Sequence, residues 1–270
     1  MRQVKFSYVW LLHFKQCLNL QYCQKNEMKL TNESPYGKRE KRRQATTSSN
    51  TMPPHHLIPS GGPMHVGEPF LGPLDPSDVG KPCLVLDLDE TLVHSSFKPV
   101  PDPDYIIPVE IDGNVTDVYV LKRPWVDYFM EEMGKVYEVV VFTASLAKYA
   151  DPLLDLLDTG KVIKWRLFRE SCYPFQGNYV KDMTCLGRPL EKAIIIDNSP
   201  HSYAFQPQNA LPISSFIDDP NDNELLDAIP YLQDLAKAED VTRELVANHG
   251  YLPRRTFHSR NIPVPDRQYA

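Results

Sequence analysis

Two carboxylates sit at the tip of an apolar run: Asp87 and Asp89 in "LVLDLDETLVH", residues 84–94. Turn chemistry alone accounts for many such pairs, because Asp and Thr cap strand ends and helix starts. The spacing allows more. In an extended segment, side chains two apart point to the same side. Two carboxylates on one side repel unless a cation or a proton separates their roles. Magnesium, a hard ion that prefers oxygen ligands, resolves the conflict. "AIIIDNSP" brings a second acidic strand end, where Asp197 and Asn198 offer further oxygen.

Positioning these groups takes a sheet. "CLVLDL", "YEVVVFTAS" ending at Thr143, "AIIIDNSP" ending at Asp197 and "LPISSFID" ending at Asp218 read as buried strands. "RPWVDYFMEEM" reads as a helix, with Pro124 near its first turn and Trp125, Phe129 and Met130 on one face. "LAKYADPLLDLLD" is helical, with Pro152 marking a break or a new first turn. "NELLDAIPYLQDLAKAEDVTRELVANH" supplies closing helices. "YIIPVEIDGNVTDVYVLKR" is two strands around a turn at Asp112-Gly113-Asn114. Short apolar strands separated by helices or long connections indicate an α/β fold: a doubly wound parallel sheet with helices on both faces. Ligands bind such sheets beyond the carboxyl ends of the strands. Asp87, Thr143 and Asp197 should therefore converge on one crevice.

The chain has 270 residues, room for one large domain or two small ones. Its composition, 42% hydrophobic and 24% charged, fits a soluble globular protein. Charge is uneven. Residues 1–50 carry ten Lys/Arg against three Asp/Glu, which leaves −13 on the remainder of a chain whose net charge is −6. An acidic body argues against direct nucleic-acid binding. The five cysteines (17, 23, 83, 172, 185) form no CxxC pair and no zinc spacing, which points to a reducing compartment.

Residues 1–76 read as a disordered tail: basic, then Ser/Thr-rich, then dense in Pro and Gly without a period. The end, from about Leu252, is similar. His13 and Lys15 interrupt the apolar stretch of the head and no small-residue cleavage site follows, so it is not read as a signal peptide. It is also too short for a membrane span, which needs about 20 apolar residues. "KREKRR" (38–43) is compatible with a nuclear address.

"DLDETLV", "FTAS", "GNYVKD" and "IIIDNSP", in that order, resemble the four motifs of the haloacid-dehalogenase superfamily. Residues 82–240 resemble more closely the small phosphatases that act on the C-terminal domain of RNA polymerase II, through "HSSFKPV", "IIPVEIDG", "VYVLKRP", "FTASLAKYADP" and "RLFRESC". The resemblance implies a haloacid-dehalogenase-like sheet with a small β-hairpin insertion. It places a phosphatase domain at 77–240, followed by a helix and flexible tail at 241–270. It also implies roles. Asp87 is the nucleophile of an aspartyl-phosphate mechanism and also a magnesium ligand. Asp89 is the general acid, and its backbone carbonyl ligates magnesium. Thr143 and Lys181 bind the phosphoryl oxygens. Asn198 is a direct metal ligand, and Asp197 a direct or water-mediated one. Phe97, Val109, Ile111, Val118 and Leu146 line an apolar pocket for a proline of the phosphorylated heptad, and Tyr149 and Arg169 contact peptide or phosphate.

Other residues keep plainer expectations: His94 as a helix-start residue, Glu90 and Thr91 as turn shapers, Ala147, Ala150 and Ser171 as packing or turn residues. The region between the motifs is too short for a large cap, so an open site suits a protein substrate better than a metabolite. Three alternatives stand beside the polymerase-tail phosphatase: a phosphatase of other phosphoproteins such as transcription factors, a non-catalytic phosphopeptide-binding module, and a small-metabolite phosphatase.

Overall fold

The structure, a computed structural model, describes residues 68–248. The basic run at 38–43, the rest of the expected tail before Glu68 and the end after Asn248 lie outside the described residues. So do Cys17 and Cys23.

Five parallel strands form the main sheet: β1 (Cys83–Leu86), β5 (Glu138–Phe142), β6 (Ile163–Leu167), β9 (Ala193–Asp197) and β10 (Ala210–Pro212), in the order β10-β9-β1-β5-β6. β1 lies at the centre, paired in register with β5 on one side and β9 on the other. All residues of β1, β5 and β9 are buried. That is why these segments read as unbroken apolar runs rather than alternations.

Alternate strand residues serve two different cores. Leu84, Leu86, Val139, Val141, Ile194 and Ile196 face a large core that includes residues of all four α-helices among the described residues: α1 (Val126–Val136), α2 (Ala147–Leu157), α3 (Glu224–Leu235) and α4 (Val241–Ala247). Cys83, Val85, Val140, Phe142, Ala193 and Ile195 face a smaller core closed by Leu71, Met183, Leu186 and Tyr203. The α/β fold with a central parallel sheet expected from the sequence is present, but among the described residues its α-helices belong to one face, not to both. The chain returning from β6 to β9 carries Pro174, Gly177, Gly187 and Pro189, which leave no run long enough for an α-helix. It forms instead a small hairpin, β7 (Tyr173–Phe175) with β8 (Asn178–Val180), and short 3-10 turns.

The expected insertion is a three-stranded antiparallel sheet in the order β2-β4-β3: β2 (Val93–Ser96), β3 (Tyr105–Ile111) and β4 (Asn114–Lys122). Its hairpin turns at Asp112 and Gly113, both with positive φ (54° and 77°). That backbone matches strand twist and favours Asp-Gly.

Other expectations need correction. His94 lies within β2, not at a helix start. Trp125 caps α1 with φ 69° and donates its indole N–H to Asn223, instead of sharing the buried face of Phe129 and Met130. Pro152 sits inside an unbroken α2. The fourth strand ends at Pro212, so Asp218 is not a strand end. β6 was not anticipated; Lys164 and Arg166 interrupt its apolar pattern because it is an edge strand. Finally, the body begins before residue 77: Phe70 N–H and Leu71 N–H donate to the carbonyls of Cys185 and Leu186, and Leu71 is buried.

Candidate active site

β1 ends at Leu86, and its next residue, Asp87, leaves the middle of the sheet at the carboxyl edge. Its backbone N–H donates to Ile196 on β9, which fixes the two motifs side by side. Thr143 follows β5, and Asp197 closes β9. The sheet order β9-β1-β5 thus sets Asp197, Asp87 and Thr143 on three adjacent strand ends, as the spacing implied.

Lys181 follows β8 and is fully buried. Its ammonium donates to Asp87 Oδ1 at 2.5 Å and to Asp197 Oδ2 at 2.6 Å. Burial alone pulls a lysine down, but the charges of Asp197 and Asp87 override it and hold the ammonium well above its ordinary range. Burial and the neighbouring charge of Asp87 push Asp197 up to about 6, against the pull of Lys181. Both Asp197 oxygens are occupied, the second by the Ser199 N–H at 2.8 Å. The structure therefore turns Asp197 toward Lys181 and the Ser199 amide.

Asp89 has different neighbours. Its Oδ2 accepts from Ser145 Oγ at 2.6 Å, and its Oδ1 from the Tyr149 hydroxyl at 2.8 Å and Ser95 Oγ at 3.4 Å. Tyr149 and Ser95 also bond each other. Tyr149 is 2% exposed, and burial together with the charge of Asp89 holds its phenol well above the ordinary range. This places Tyr149 behind Asp89 rather than at a peptide-facing surface. Its position on the inner face of α2, one turn after Leu146, dictates that direction.

Thr143 Oγ1 accepts from the Ser145 N–H at 3.0 Å, the capping role any Thr at a strand end can fill. That bond uses a lone pair and leaves the hydroxyl proton as a donor. Arg169 is buried; its Nε donates to the Ala144 carbonyl at 2.5 Å and its guanidinium stacks on Tyr179, 5.0 Å from the ring centre. Its Nη1 is buried with no acceptor among the described residues.

Sequence reasoning gave Thr91 only a turn-shaping role. Its hydroxyl lies 3.1 Å from Asp87 Oδ2 and 3.4 Å from Asn198 Oδ1. One hydroxyl proton cannot serve both oxygens, whereas a hard cation between them can. Among the described residues no three His, Cys, Asp or Glu side chains group as a metal cage. What the structure brings together around Thr91 is instead a carboxylate oxygen of Asp87 and the amide oxygen of Asn198, oxygen donors of the kind that suit magnesium. Ser95 and Ser145 were also missed. Their only signal was proximity in sequence to residues already singled out.

The residues expected to line the apolar pocket divide in two. Val109 and Val118 are 4% and 1% exposed and belong to the main core. Phe97 and Ile111 are half-buried against that core, and half-buried Leu146 caps α2. No helix among the described residues is long and apolar enough to cross a membrane.

The chain is 62% identical over 173 residues to a probable C-terminal domain small phosphatase of Dictyostelium discoideum, covering 64% of this chain and 56% of that one. It is 61% identical over 164 residues to the CTD small phosphatase-like protein of Homo sapiens, covering 61% and 59%. It is likewise 61% identical over 167 residues to Phosphatase PSR1 of Saccharomyces cerevisiae, covering 62% and 39%. The chain spans about half the length of the curated relatives it matches. Residues 82–242, more than half of the chain and the whole of both cores' strands, match the NLI interacting factor-like phosphatases. The chain belongs to the NLI interacting factor-like phosphatase family.

Proposed function

We propose that this chain is a magnesium-dependent phosphoserine/phosphothreonine protein phosphatase that works through an aspartyl-phosphate. Its substrate is phosphoserine in the heptad repeats of RNA polymerase II, and its compartment is the nucleus. The observation that carries the reading is the pairing of Asp87, at the centre of the sheet edge, with the fully buried Lys181. Carboxylates are ionised at neutral pH, so a nucleophilic Asp needs no base to activate it.

An Asp87 oxygen attacks phosphorus as the bond from phosphorus to the serine oxygen breaks. The electron pair leaves on that oxygen, which takes the proton carried by Asp89. Water then attacks phosphorus, Asp89 takes a proton from that water, and the Asp87 carboxylate is released with inorganic phosphate. Lys181 and the Thr143 hydroxyl donate to phosphoryl oxygens as charge develops on them. Buried Arg169 Nη1 is a further donor to phosphate or peptide carbonyl. The Asp87 carboxylate, the Asp89 carbonyl and the Asn198 amide would hold magnesium, which would neutralise charge as the nucleophile meets the phosphate. Asp197 acts through Lys181 or through a bridging water. Phe97, Ile111 and Leu146 offer the apolar surface for the proline, backed by Val109 and Val118, and extended proline-rich segments suit it because little entropy is lost on binding.

A second reading is other phosphoproteins as substrates. The test of the first is hydrolysis of phosphoserine heptad peptides with magnesium. Asp87→Asn should lower turnover by roughly 10⁴- to 10⁶-fold, the scale on which a lost nucleophile is felt. EDTA should stop the reaction and magnesium restore it. Full activity in Asp87→Asn sinks the mechanism, and equal rates on free sugar phosphates sink the protein substrate. Faster turnover of other phosphoproteins than of heptad peptides favours the second reading.

A further inference from the structure

Arg123 follows β4 and is 1% exposed, one of the largest fully buried side chains. A buried guanidinium is costly unless its donors are met. Here they are met by two loops at once. Nε and Nη2 form a fork on Asp222, at 2.8 and 2.7 Å. Nη1 donates to the Thr91 carbonyl at 3.2 Å and to the Ser214 carbonyl at 3.0 Å. The Arg123 backbone N–H donates to the Leu92 carbonyl at 3.0 Å, and the guanidinium lies 5.8 Å from the centre of the Phe216 ring. Glu224, 3.6 Å from Nη2, accepts from both the N–H and the hydroxyl of Ser214.

The two loops carry the supports of Asn198. The Thr91 hydroxyl reaches Asn198 Oδ1 and Asp87 Oδ2, and Asn198 Nδ2 donates to Ser215 Oγ at 2.8 Å. Each support is therefore either an Arg123-bound residue or its chain neighbour. Phe216 N–H to the Glu90 carbonyl, 2.8 Å, is a direct backbone tie between the loops. Arg123 adds a charged, forked tie to that backbone one.

We infer that Arg123 is a positioning residue for the metal site: it clamps the loop of Asp87 and Thr91 to the loop of Ser215, so that Asp87 and Asn198 present their oxygens to one cation. The inference rests on the magnesium reading above. Lysine keeps the charge but cannot make the fork or span both loops. Partners that orient metal ligands typically cost 10- to 100-fold in affinity when removed.

The experiment is isothermal titration calorimetry of magnesium into the full chain and into Arg123→Lys and Asp222→Asn, with circular dichroism as the check on folding. Arg123→Lys should fold and bind magnesium roughly 10-fold or more weakly, with Asp222→Asn shifted the same way by less. The magnesium concentration for half-maximal turnover should rise in parallel, while peptide KM at saturating magnesium stays near that of the unaltered chain. A folded Arg123→Lys protein with unchanged magnesium affinity overturns the inference and leaves the proposed function standing. If Arg123→Lys does not fold, unchanged affinity in Asp222→Asn overturns it equally, and unfolding of both makes Arg123 a structural anchor only, against the inference. Failure of the unaltered chain to bind magnesium overturns the functional reading itself.

Discussion

Asp87 and Asp89 leave the same strand two residues apart, yet they enter opposite surroundings. Around Asp87 a cation dominates: Lys181 pairs with one oxygen while Asp197 holds Lys181 from the other side, and the Thr91 hydroxyl reaches the second oxygen. Asp89 accepts from three neutral hydroxyls, those of Ser95, Ser145 and Tyr149. A proposed nucleophile has to stay ionised, and a buried cation beside it serves that end. A proposed acid has to give up a proton and take it back. Hydroxyls can orient it in either state, because each can donate or accept. One strand end thus supports two kinds of chemistry because the groups that meet it come from different elements.

The comparison breaks most severely at Lys181. Lys181→Met leaves two buried carboxylates facing each other without a cation, a change that costs about 3–5 kcal/mol when one partner of a buried pair is removed. Thermal unfolding should show that loss, together with collapse of turnover. A protein of unchanged melting temperature speaks against the charged pocket.

Asp89→Asn leaves the charged pocket intact and should slow phosphoserine hydrolysis by roughly 10²- to 10⁴-fold, the usual scale of acid–base catalysis. The deficit should shrink on a nitrophenyl phosphate, whose leaving group departs without a proton. An equal deficit on both substrates would remove Asp89 from the acid role.

Tyr149→Phe probes the hydroxyl side alone, since the ring stays in place. The fold should survive, with the pH profile of turnover displaced and a smaller rate loss than in Asp89→Asn. Weakened peptide binding with an unmoved profile would instead return Tyr149 to the substrate surface.

The smallest effect concerns pH. The folded-state value of Asp197 is raised to about 6 from an ordinary 3.8, so the folded protein holds its proton more tightly than the unfolded chain. Its contribution to stability is then full below about pH 4 and lost as pH rises through about 6. Denaturant melts of the metal-free protein should show that decline, and Asp197→Asn should flatten it. An identical slope in both proteins would assign the decline to other groups.

Much of this site was legible because parallel strands buried on both faces read as apolar runs, and the first polar residue after each run marks the sheet edge. Asp87, Thr143 and Asp197 followed from that rule alone. Lys181 did not. It follows a short hairpin strand with little apolar pattern, and only the order of motifs drew attention to it. The hydroxyls of Ser95, Ser145 and Thr91 were hidden for a different reason. Serine and threonine are common in turns, and their partners depend on how the β2-β4-β3 sheet and α2 fold back over the β1 end. β6 was obscured by the charges of Lys164 and Arg166 at a sheet edge. The covering of the second sheet face was misjudged because turns, unlike amphipathic helices, leave no period.

Before β1, Phe70 and Leu71 tie to Cys185 and Leu186 by backbone hydrogen bonds, and Arg188 reaches the Gly72 carbonyl. Gly187, at φ 76°, lies so near Pro69 that a Cβ there would come within 2.5 Å of the ring. These residues form a belt across a face that has no α-helix of its own. A fragment trimmed to residue 77, where composition alone draws the boundary, would be unbuckled. Trp165, which would meet a Cβ at Gly72 within 2.9 Å, would lose that cover, and the helix-free core would open to water. The workable left-hand edge of the folded unit is therefore set by Pro69, in a stretch whose proline content reads as linker.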